Sequence, residues 1–342
     1  MTSTRPALRD RGLLLGVLVV LAVATTDAVL NVQIVGVYSA GALVASMATT
    51  APRTALVGGL AVSLALLGGF WEGNVGTREW GVRVFLCVLL SSLAVVAAAL
   101  RQRREARLRR LEVIAETAQR ALLRGVPSSL GAVGLATRYA SASEDALVGG
   151  DLYEAVVTPF GVRLVVGDVR GKGLPAVQTA ATVLGAFRQA AATEPDLAAL
   201  ARTVDDVVAR TVDDEEFVTL VIVELDADRL GLVNLGHHPP LLITPDEVRE
   251  LAPADPEPPV GLGPRPVTDR HTWARGDRLL VFTDGLVEAR DRSGRTFPLE
   301  EHAGALRSGD PGEALDALLA RLAAFTGRRL ADDLALVLAE HR

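Results

Sequence analysis

The sequence has only one cysteine and one lysine among its 342 residues. The cysteine, Cys87, lies inside an apolar stretch, so disulfides have no part in the fold, as a reducing compartment allows. No Ser-His-Asp pattern, internal repeat or low-complexity tract is present. These absences exclude a disulfide scaffold and leave no obvious nucleophilic side chain for catalysis.

Apolar residues are concentrated at the front of the chain. They form 49% of the whole, and the mean hydropathy of +0.31 is too high for one ordinary soluble enzyme. Four stretches, residues 13–30, 34–47, 55–70 and 82–100, are almost free of charge. Each is near the roughly 20 helical residues that cross a bilayer, although the second is short and contains two glycines. A cleaved signal peptide would explain only the first. The pattern predicts an all-α transmembrane domain of four helices over residues 1–100.

Arginine placement predicts the orientation of these spans. Arginines precede the first stretch within residues 5–11, Arg53 separates the second from the third, and six follow the fourth within residues 101–110. The other two loops contain Asp27 and the acidic segment 72–79 with one arginine. Because loops rich in arginine stay inside, we expect a multi-pass protein of the cytoplasmic (inner) membrane with both termini cytoplasmic.

The charge balance of the two parts is opposite. Residues 1–110 contain 12 arginines and 5 acidic residues, whereas residues 111–342 contain 23 basic and 36 acidic residues, a net charge of −13. A domain of this charge repels phosphate backbones. A nucleic acid partner is therefore excluded.

A helix without glycine or proline is predicted after the last span, in a linker of residues 101–125. Apolar positions with 3-4-3-4 spacing suggest a coiled-coil seam, but two heptads are fewer than a firm assignment needs. The helix is either a homodimer stalk or a juxtamembrane helix held by lipid headgroups. The seam positions are Leu108, Leu111, Ala115, Ala118 and Leu122.

Residues 126–342 alternate strand and helix patterns. Hairpins are predicted at residues 151–167 and 217–236, and a strand at 278–282. Helices are predicted at 174–192, at 197–212 with Asp196 as its cap, and in a pair at 299–305 and 311–325. A last strand is expected at 334–339. The order indicates an α+β domain with antiparallel sheets covered by helices.

Four short acidic motifs carry the chemistry of this domain. Two carboxylates about 4 Å apart repel by roughly 4 kcal/mol at a surface-like dielectric, so several together need cations. The motifs contain neither cysteine nor histidine, and oxygen-only ligation favours Mg²⁺ or Mn²⁺. Taken singly, each aspartate is more typical of a turn. The motifs are GGDLY at 149–153, GDVRGKG at 167–173, TDG at 283–285 and DD at 332–333.

In this order, together with NLGHHPP at 234–240, the motifs resemble the metal-dependent PPM (protein phosphatase 2C-like) phosphatases, and most closely the SpoIIE-type branch. The resemblance implies an αββα sandwich and two Mn²⁺ or Mg²⁺ ions. In that family the ions activate a water that attacks phosphoserine or phosphothreonine, and no side chain is a catalytic nucleophile. The implied metal ligands are Asp151, Asp168, the Val169 carbonyl, Asp284 and Asp332.

Several positions depart from the family pattern or stand beside it. Glu154 replaces a common aspartate and could bind a metal through water, and Asp333 could hold a metal-bound water or solvate the strand start. Arg170 and Lys172 replace a small residue and a His or Asn. They could contact substrate phosphate or compete with the ions. His237 and His238 are expected to be structural.

The sequence therefore predicts a membrane-anchored protein serine/threonine phosphatase. In the resembled branch the substrate is a phosphorylated STAS-type anti-sigma-factor antagonist, whose dephosphorylation frees a sigma factor. An inactive phosphatase-fold scaffold remains the alternative. A diguanylate cyclase is disfavoured because Leu152 stands where its GGDEF turn needs an acid, and a histidine kinase because residues 101–125 contain no histidine.

Overall fold

The computed structural model describes residues 5–30, 37–123, 125–140, 149–212, 216–327, 330 and 332–342. The chain divides into two compact units, residues 1–110 and 111–342. The first contains helices α1 (Arg5–Leu30), α2 (Ala40–Ala48) after a single 3₁₀ turn (Val37–Ser39), α3 (Ala51–Trp71) and the start of α4 (Arg78–Leu122). The division falls inside α4, which continues through residue 100 without interruption.

Small residues bring the helices of the first unit together. A Cβ atom at Gly41 would lie 2.4 Å from the Gly16 carbonyl oxygen and 2.3 Å from a methyl group of Val20. Small side chains at such crossings allow the close backbone approach typical of membrane helix pairs. Apolar side chains such as Leu14 and Phe85 are instead 61% and 64% exposed. The unit is therefore apolar on its outside as well as inside.

Polar contacts occur at both ends of this bundle. At one end, Arg101 donates to the carbonyl oxygens of Ser46 and Thr49, at 3.2 and 2.5 Å. At the other, the buried Arg83 guanidinium donates to both carboxylate oxygens of Glu72, at 2.7 and 3.0 Å. Arg83 and Arg101 are eighteen residues apart on α4, which is about 27 Å of helix. That spacing is close to the thickness of a hydrocarbon core.

Two helices in the described part of the chain are long and apolar enough to cross a membrane, at Ala51–Phe70 and within Arg78–Leu122. Helix α2 has nine residues, or roughly 14 Å, which is about half a span. Residues 34–36, the start of the second predicted stretch, lie outside the described residues. The four-span topology stays a prediction.

The second unit contains two antiparallel sheets. The six-stranded sheet has the order β1-β2-β11-β10-β7-β8, and the five-stranded sheet has the order β3-β4-β5-β6-β9. The strands are β1 (Ser129–Leu130), β2 (Val133–Ala140), β3 (Leu152–Thr158), β4 (Gly161–Val169), β5 (Val218–Asp226), β6 (Arg229–Leu235), β7 (Leu241–Ile243), β8 (Val248–Glu250), β9 (Asp269–Thr272), β10 (Arg278–Phe282) and β11 (Leu334–His341).

Helix pairs cover the outer faces of both sheets. Helices α5 (Leu174–Ala191) and α6 (Leu197–Val208) pack on the five-stranded sheet, and α7 (Leu299–Ala303) and α8 (Pro311–Thr326) pack on the six-stranded one. Successive side chains of a strand point to opposite faces of its sheet, so each central strand contributes to two apolar layers. Leu220 and Ile222 of β5 face the helices, while Val221 and Val223 face the other sheet. The predicted αββα sandwich is therefore present.

The final turns of α4 pack inside the second unit. Ala115 is buried against Val177, and Ala118 and Leu122 contact the same small cluster beside Leu174. The C-terminal half of the predicted seam is thus occupied by the chain's own α5 helix. A dimer stalk over residues 115–122 is not compatible with this packing, because one helix stripe cannot contact two partners at once.

Candidate metal centre

Strand ends bring the four predicted aspartates to one edge of the sandwich. Asp151 directly precedes β3 and Asp168 is the penultimate residue of β4, where Leu152 pairs with Gly167. Asp284 follows β10 and Asp332 precedes β11, where Phe282 pairs with Leu336. Each sheet therefore supplies two aspartates from neighbouring antiparallel strands.

A buried threonine joins the two pairs across the sheets. The Thr283 hydroxyl donates to Asp151 Oδ2 at 2.7 Å and accepts from the backbone N–H of Ala335 at 2.8 Å. Thr283 is fully buried, so this side chain fixes the orientation of Asp151 from the opposite sheet. In the sequence Thr283 is only part of a turn motif, and this role was not predicted. Its position one residue before a predicted ligand was the available signal.

Burial and neighbouring carboxylates raise the pKa values of three of the four aspartates. The pKa of Asp151, which is 2% exposed, is raised first by burial and then by the negative charges of Asp168, Asp284 and Asp333. Burial, followed by the charges of Asp284 and Asp332, raises the pKa of Asp168 to about 7. Burial and Asp332 likewise raise the pKa of Asp284. Buried acids that repel one another are typical of a site built for cations.

The donor set fits Mn²⁺ or Mg²⁺, since it is all oxygen and negatively charged. Among the described residues, however, no three Asp, Glu, His or Cys side chains already converge on one point where an ion could bind. Binding therefore needs side-chain rotation. The mutual repulsion of the carboxylates favours that rotation when a cation enters.

Close backbone approach explains two glycines of the motifs. A Cβ atom at Gly285 would lie 2.1 Å from the backbone oxygen of Asp333, and one at Gly149 would lie 2.6 Å from Asp333 Oδ2. Any larger residue would push the TDG turn or the GGD turn away from the start of β11. These glycines hold the aspartate turns of different strands together.

The two cationic positions differ in their contacts. The Lys172 ammonium lies 2.8 Å from Asp332 Oδ1, so a cation of the chain itself pairs with a predicted metal ligand. The Arg170 guanidinium lies over the Phe217 ring, 5.2 Å from its centroid. Lys172 is thus placed to compete with an ion or to move onto a bound phosphate.

The remaining predicted residues lie near or behind the edge. Glu154 pairs with Arg188 of α5 at 2.6 Å on the helix side of the sheet, because strand alternation turns it away from Tyr153 and the inter-sheet face. The Glu154 carboxylate is therefore paired with Arg188 and does not face the predicted metal site, contrary to the expectation that it binds a metal through water. Val169 is buried, and its carbonyl oxygen is next to Gly150.

Asp333 is a buried positioning group and not a solvated strand start. Its Oδ2 atom accepts from the Gly149 N–H at 2.7 Å and from the Tyr139 hydroxyl at 2.7 Å.

His237 is also buried, between Thr219 and the Phe282 carbonyl, and burial lowers its pKa to about 4. It is neutral near pH 7, which agrees with a structural role.

Solved structures share this architecture. The SiaA-PP2C domain of Pseudomonas aeruginosa has a TM-score of 0.58 and 22% identity, with 72% of this chain and 99% of that chain covered. The RsbU and RsbW domains of Rv1364c from Mycobacterium tuberculosis have a TM-score of 0.55 and 27% identity, with 61% and 60% covered. The catalytic domain of the serine/threonine phosphatase PstP in complex with two manganese ions has a TM-score of 0.50 and 19% identity, with 61% and 97% covered.

The double sheet, its helix pairs and its aspartate edge define a PP2C-type phosphatase domain. The family model for Stage II sporulation protein E (SpoIIE) matches residues 158–342, more than half of the chain. The chain belongs to the SpoIIE family. It spans 60% of the RsbU–RsbW chain that it matches.

Proposed function

We propose that this protein is a membrane-anchored serine/threonine phosphatase that depends on two Mn²⁺ or Mg²⁺ ions. The observation that carries the proposal is the group of four aspartates from two sheets at one edge, where burial and neighbouring carboxylates raise the pKa values of Asp151, Asp168 and Asp284. Asp151, Asp168, Asp284, Asp332 and the Val169 carbonyl would hold the ions. Bound ions would lower the pKa of a water and neutralise charge on the transferring phosphoryl group.

The chain's own residues supply orientation. Thr283 fixes Asp151 through its hydroxyl, and Gly285 allows the turn with Asp284 to lie against β11. Arg170 and Lys172 lie two and four residues after Asp168. Their charges favour an anionic phosphorylated partner, while the net charge of −13 on residues 111–342 disfavours free nucleotides and nucleic acids.

The substrate that we propose is a phosphorylated STAS-type antagonist of an anti-sigma factor. The SpoIIE-type motifs support it, as does the similarity to a chain that contains RsbU and RsbW domains. The full-length protein would be incubated with phosphorylated STAS protein, a phosphotyrosine peptide and ATP in the presence of Mn²⁺. We expect phosphate release fastest from the STAS protein, and faster release from ATP would overturn the assignment.

Membrane anchoring is proposed from two observations on the first unit. Two of its helices are apolar and long enough to span, and polar contacts at Arg83 and Arg101 are about 27 Å apart on α4. Reporter fusions near Asn74 and after Leu100 should report opposite sides of the membrane, with the second cytoplasmic. The same location for both would contradict the topology.

An inactive scaffold is the second candidate, because Lys172 already pairs with Asp332. Lys172→Met separates the two. For an enzyme whose lysine contacts phosphate, the variant should raise the KM for phosphoprotein and leave Mn²⁺ affinity nearly unchanged. A wild type without turnover, and a variant that gains Mn²⁺ binding, would support the scaffold.

A further inference from the structure

The last turns of α4 reach the metal edge through one buried amide. Gln119 is 5% exposed, and its Nε2 atom donates to the Gly149 carbonyl oxygen at 3.1 Å. Gly149 is two residues before Asp151, the most deeply buried of the four predicted aspartate ligands. Gln119 therefore connects α4 to the turn that carries the predicted ligand Asp151.

The bond is part of a ring of contacts among four residues, Gln119, Gly149, Asp333 and Tyr139. Tyr139 has its hydroxyl 2.7 Å from Asp333 Oδ2 and 3.2 Å from Gln119 Oε1. A hydroxyl has one proton, and the charged acceptor at the shorter distance binds it more strongly. Asp333 also accepts from the Gly149 N–H at 2.7 Å. Gln119 thus holds the carbonyl of Gly149 while Asp333 holds its N–H.

Both sheets contribute to this ring. Gly149 and Asp151 lead into β3 of the five-stranded sheet, whereas Tyr139, Asp332 and Asp333 belong to or precede strands of the six-stranded sheet. A shift of the Gly149 turn would move Asp151 relative to Asp332. The ring therefore controls the separation of ligands that come from different sheets.

A purely structural role for Gln119 makes a different prediction. Neighbouring residues on the same helix, Ala115 and Ala118, already pack against Val177 and Leu174 without any polar link to the site. If Gln119 only docks the helix, losing its amide and losing that packing should both lower thermal stability and leave metal affinity unchanged. If it orients ligands, metal affinity should respond to Gln119 alone.

We propose that Gln119 is a positioning residue of the metal centre, which fixes the Gly149 turn and thereby the spacing of Asp151 from Asp332. The proposal rests on the metal-dependent function proposed above. It makes the Gln119 amide, and not the packing of α4 on α5, a condition for tight metal binding. Groups that orient metal ligands from outside the coordination sphere typically contribute about 10- to 100-fold to metal affinity.

The test compares Gln119→Met with a matched control, Val177→Ala, in the full-length protein in detergent. Methionine keeps the length of the side chain and removes the amide, while Val177→Ala weakens the packing of α4 on α5. Free Mn²⁺ is followed by electron paramagnetic resonance, so metal binding is measured without turnover. Phosphate release at saturating Mn²⁺ gives kcat.

We expect Gln119→Met to weaken Mn²⁺ binding by about tenfold or more, with most of kcat restored at saturating Mn²⁺. Val177→Ala should lower thermal stability and leave Mn²⁺ binding within about twofold. Equal Mn²⁺ affinity in Gln119→Met and wild type would overturn the inference. If Gln119→Met does not fold, Tyr139→Phe opens the same ring and must also weaken Mn²⁺ binding. A wild type that binds no Mn²⁺ would instead refute the proposed function.

Discussion

Each unit of the chain contains a buried charged cluster, and the two are built on opposite principles. In the first unit, Arg83 is 2% exposed and lies between Glu72 at 2.7 Å and Asp27 at 3.8 Å, with the Tyr38 hydroxyl donating to Asp27. In the second, Asp151 is equally buried, but its close charged neighbours are other aspartates. The first cluster is neutralised from within, whereas the second needs ions from solution.

This difference separates a structural from a functional use of buried charge. A buried ion pair is tolerated while both partners are present. Removing one partner leaves an uncompensated buried charge and strongly destabilises the fold. A group of like charges is costly as it stands and becomes favourable only with a ligand. The same kind of substitution should therefore have opposite effects on stability in the two units.

The largest expected effect is on turnover at the aspartate edge. Asp168→Asn removes one negative charge and one ligand, so we expect activity to fall by more than the roughly 100-fold typical of losing a supporting residue. Stability without metal should rise, because the remaining aspartates repel less. Phosphate release and thermal unfolding in a chelator measure both. Asp226→Asn, at the β5–β6 turn, is the control, and wild-type activity in Asp168→Asn would refute the site.

The next effect is on the stability of the first unit. Arg83→Leu leaves Glu72 and Asp27 buried without their cation, which should cost about 3–5 kcal/mol. Hydrogen exchange of peptides from α3, in detergent, measures this locally. Arg78→Leu, on the exposed face of the same helix, should change little. A double substitution with Glu72→Leu should recover part of the loss, and no recovery would contradict the pairing.

A pH dependence of the metal-free site should follow. Because the pKa of Asp168 is raised to about 7 in the folded protein, that protein binds more protons than the unfolded chain between about pH 4 and pH 7. Stability should therefore fall as pH rises through that window and level off above it. Hydrogen exchange in β4, with chelator present, would show it. Saturating Mn²⁺ should remove the dependence, and a slope of the opposite sign would contradict the shift.

The smallest effect is predicted for the neutral partner of Asp151. Thr283→Val keeps the shape and removes the hydroxyl that bonds Asp151 and accepts from Ala335. Loss of such buried hydrogen bonds typically costs about 1–3 kcal/mol. Thermal unfolding measures it, with Thr272→Val, at an exposed position of β9, as the control. Equal unfolding temperatures for Thr283→Val and wild type would show that the bond does not orient Asp151.

Local patterns predicted most of the second unit. The hairpins at 151–167 and 217–236 and the helix capped by Asp196 follow from alternation, turn residues and capping, and the structure contains them with boundaries shifted by a few residues. Strand β2 was missed, because its outer half is only partly buried and the sequence there shows no clean alternation. The aspartates could be singled out as candidate ligands because turn motifs in family order are visible in a single sequence.

Contacts between distant segments were not predictable in this way. Nothing local marks Gln119, which bonds to a turn thirty residues later. Glu154 was placed near the metals by motif position, but its strand face points to Arg188. The seam at Ala115 had a correct helical period, yet the period does not say whether the partner is a second chain or the chain's own α5.

Each of the four aspartates stands just outside the three large apolar clusters in the described part of the second unit. One base change in a codon turns aspartate into asparagine and leaves every apolar contact in place. A gene copy with that change would encode the same folded surface without the reaction. The fold and the reaction can therefore change independently in this domain. A lineage can lose the reaction while selection still maintains the folded surface.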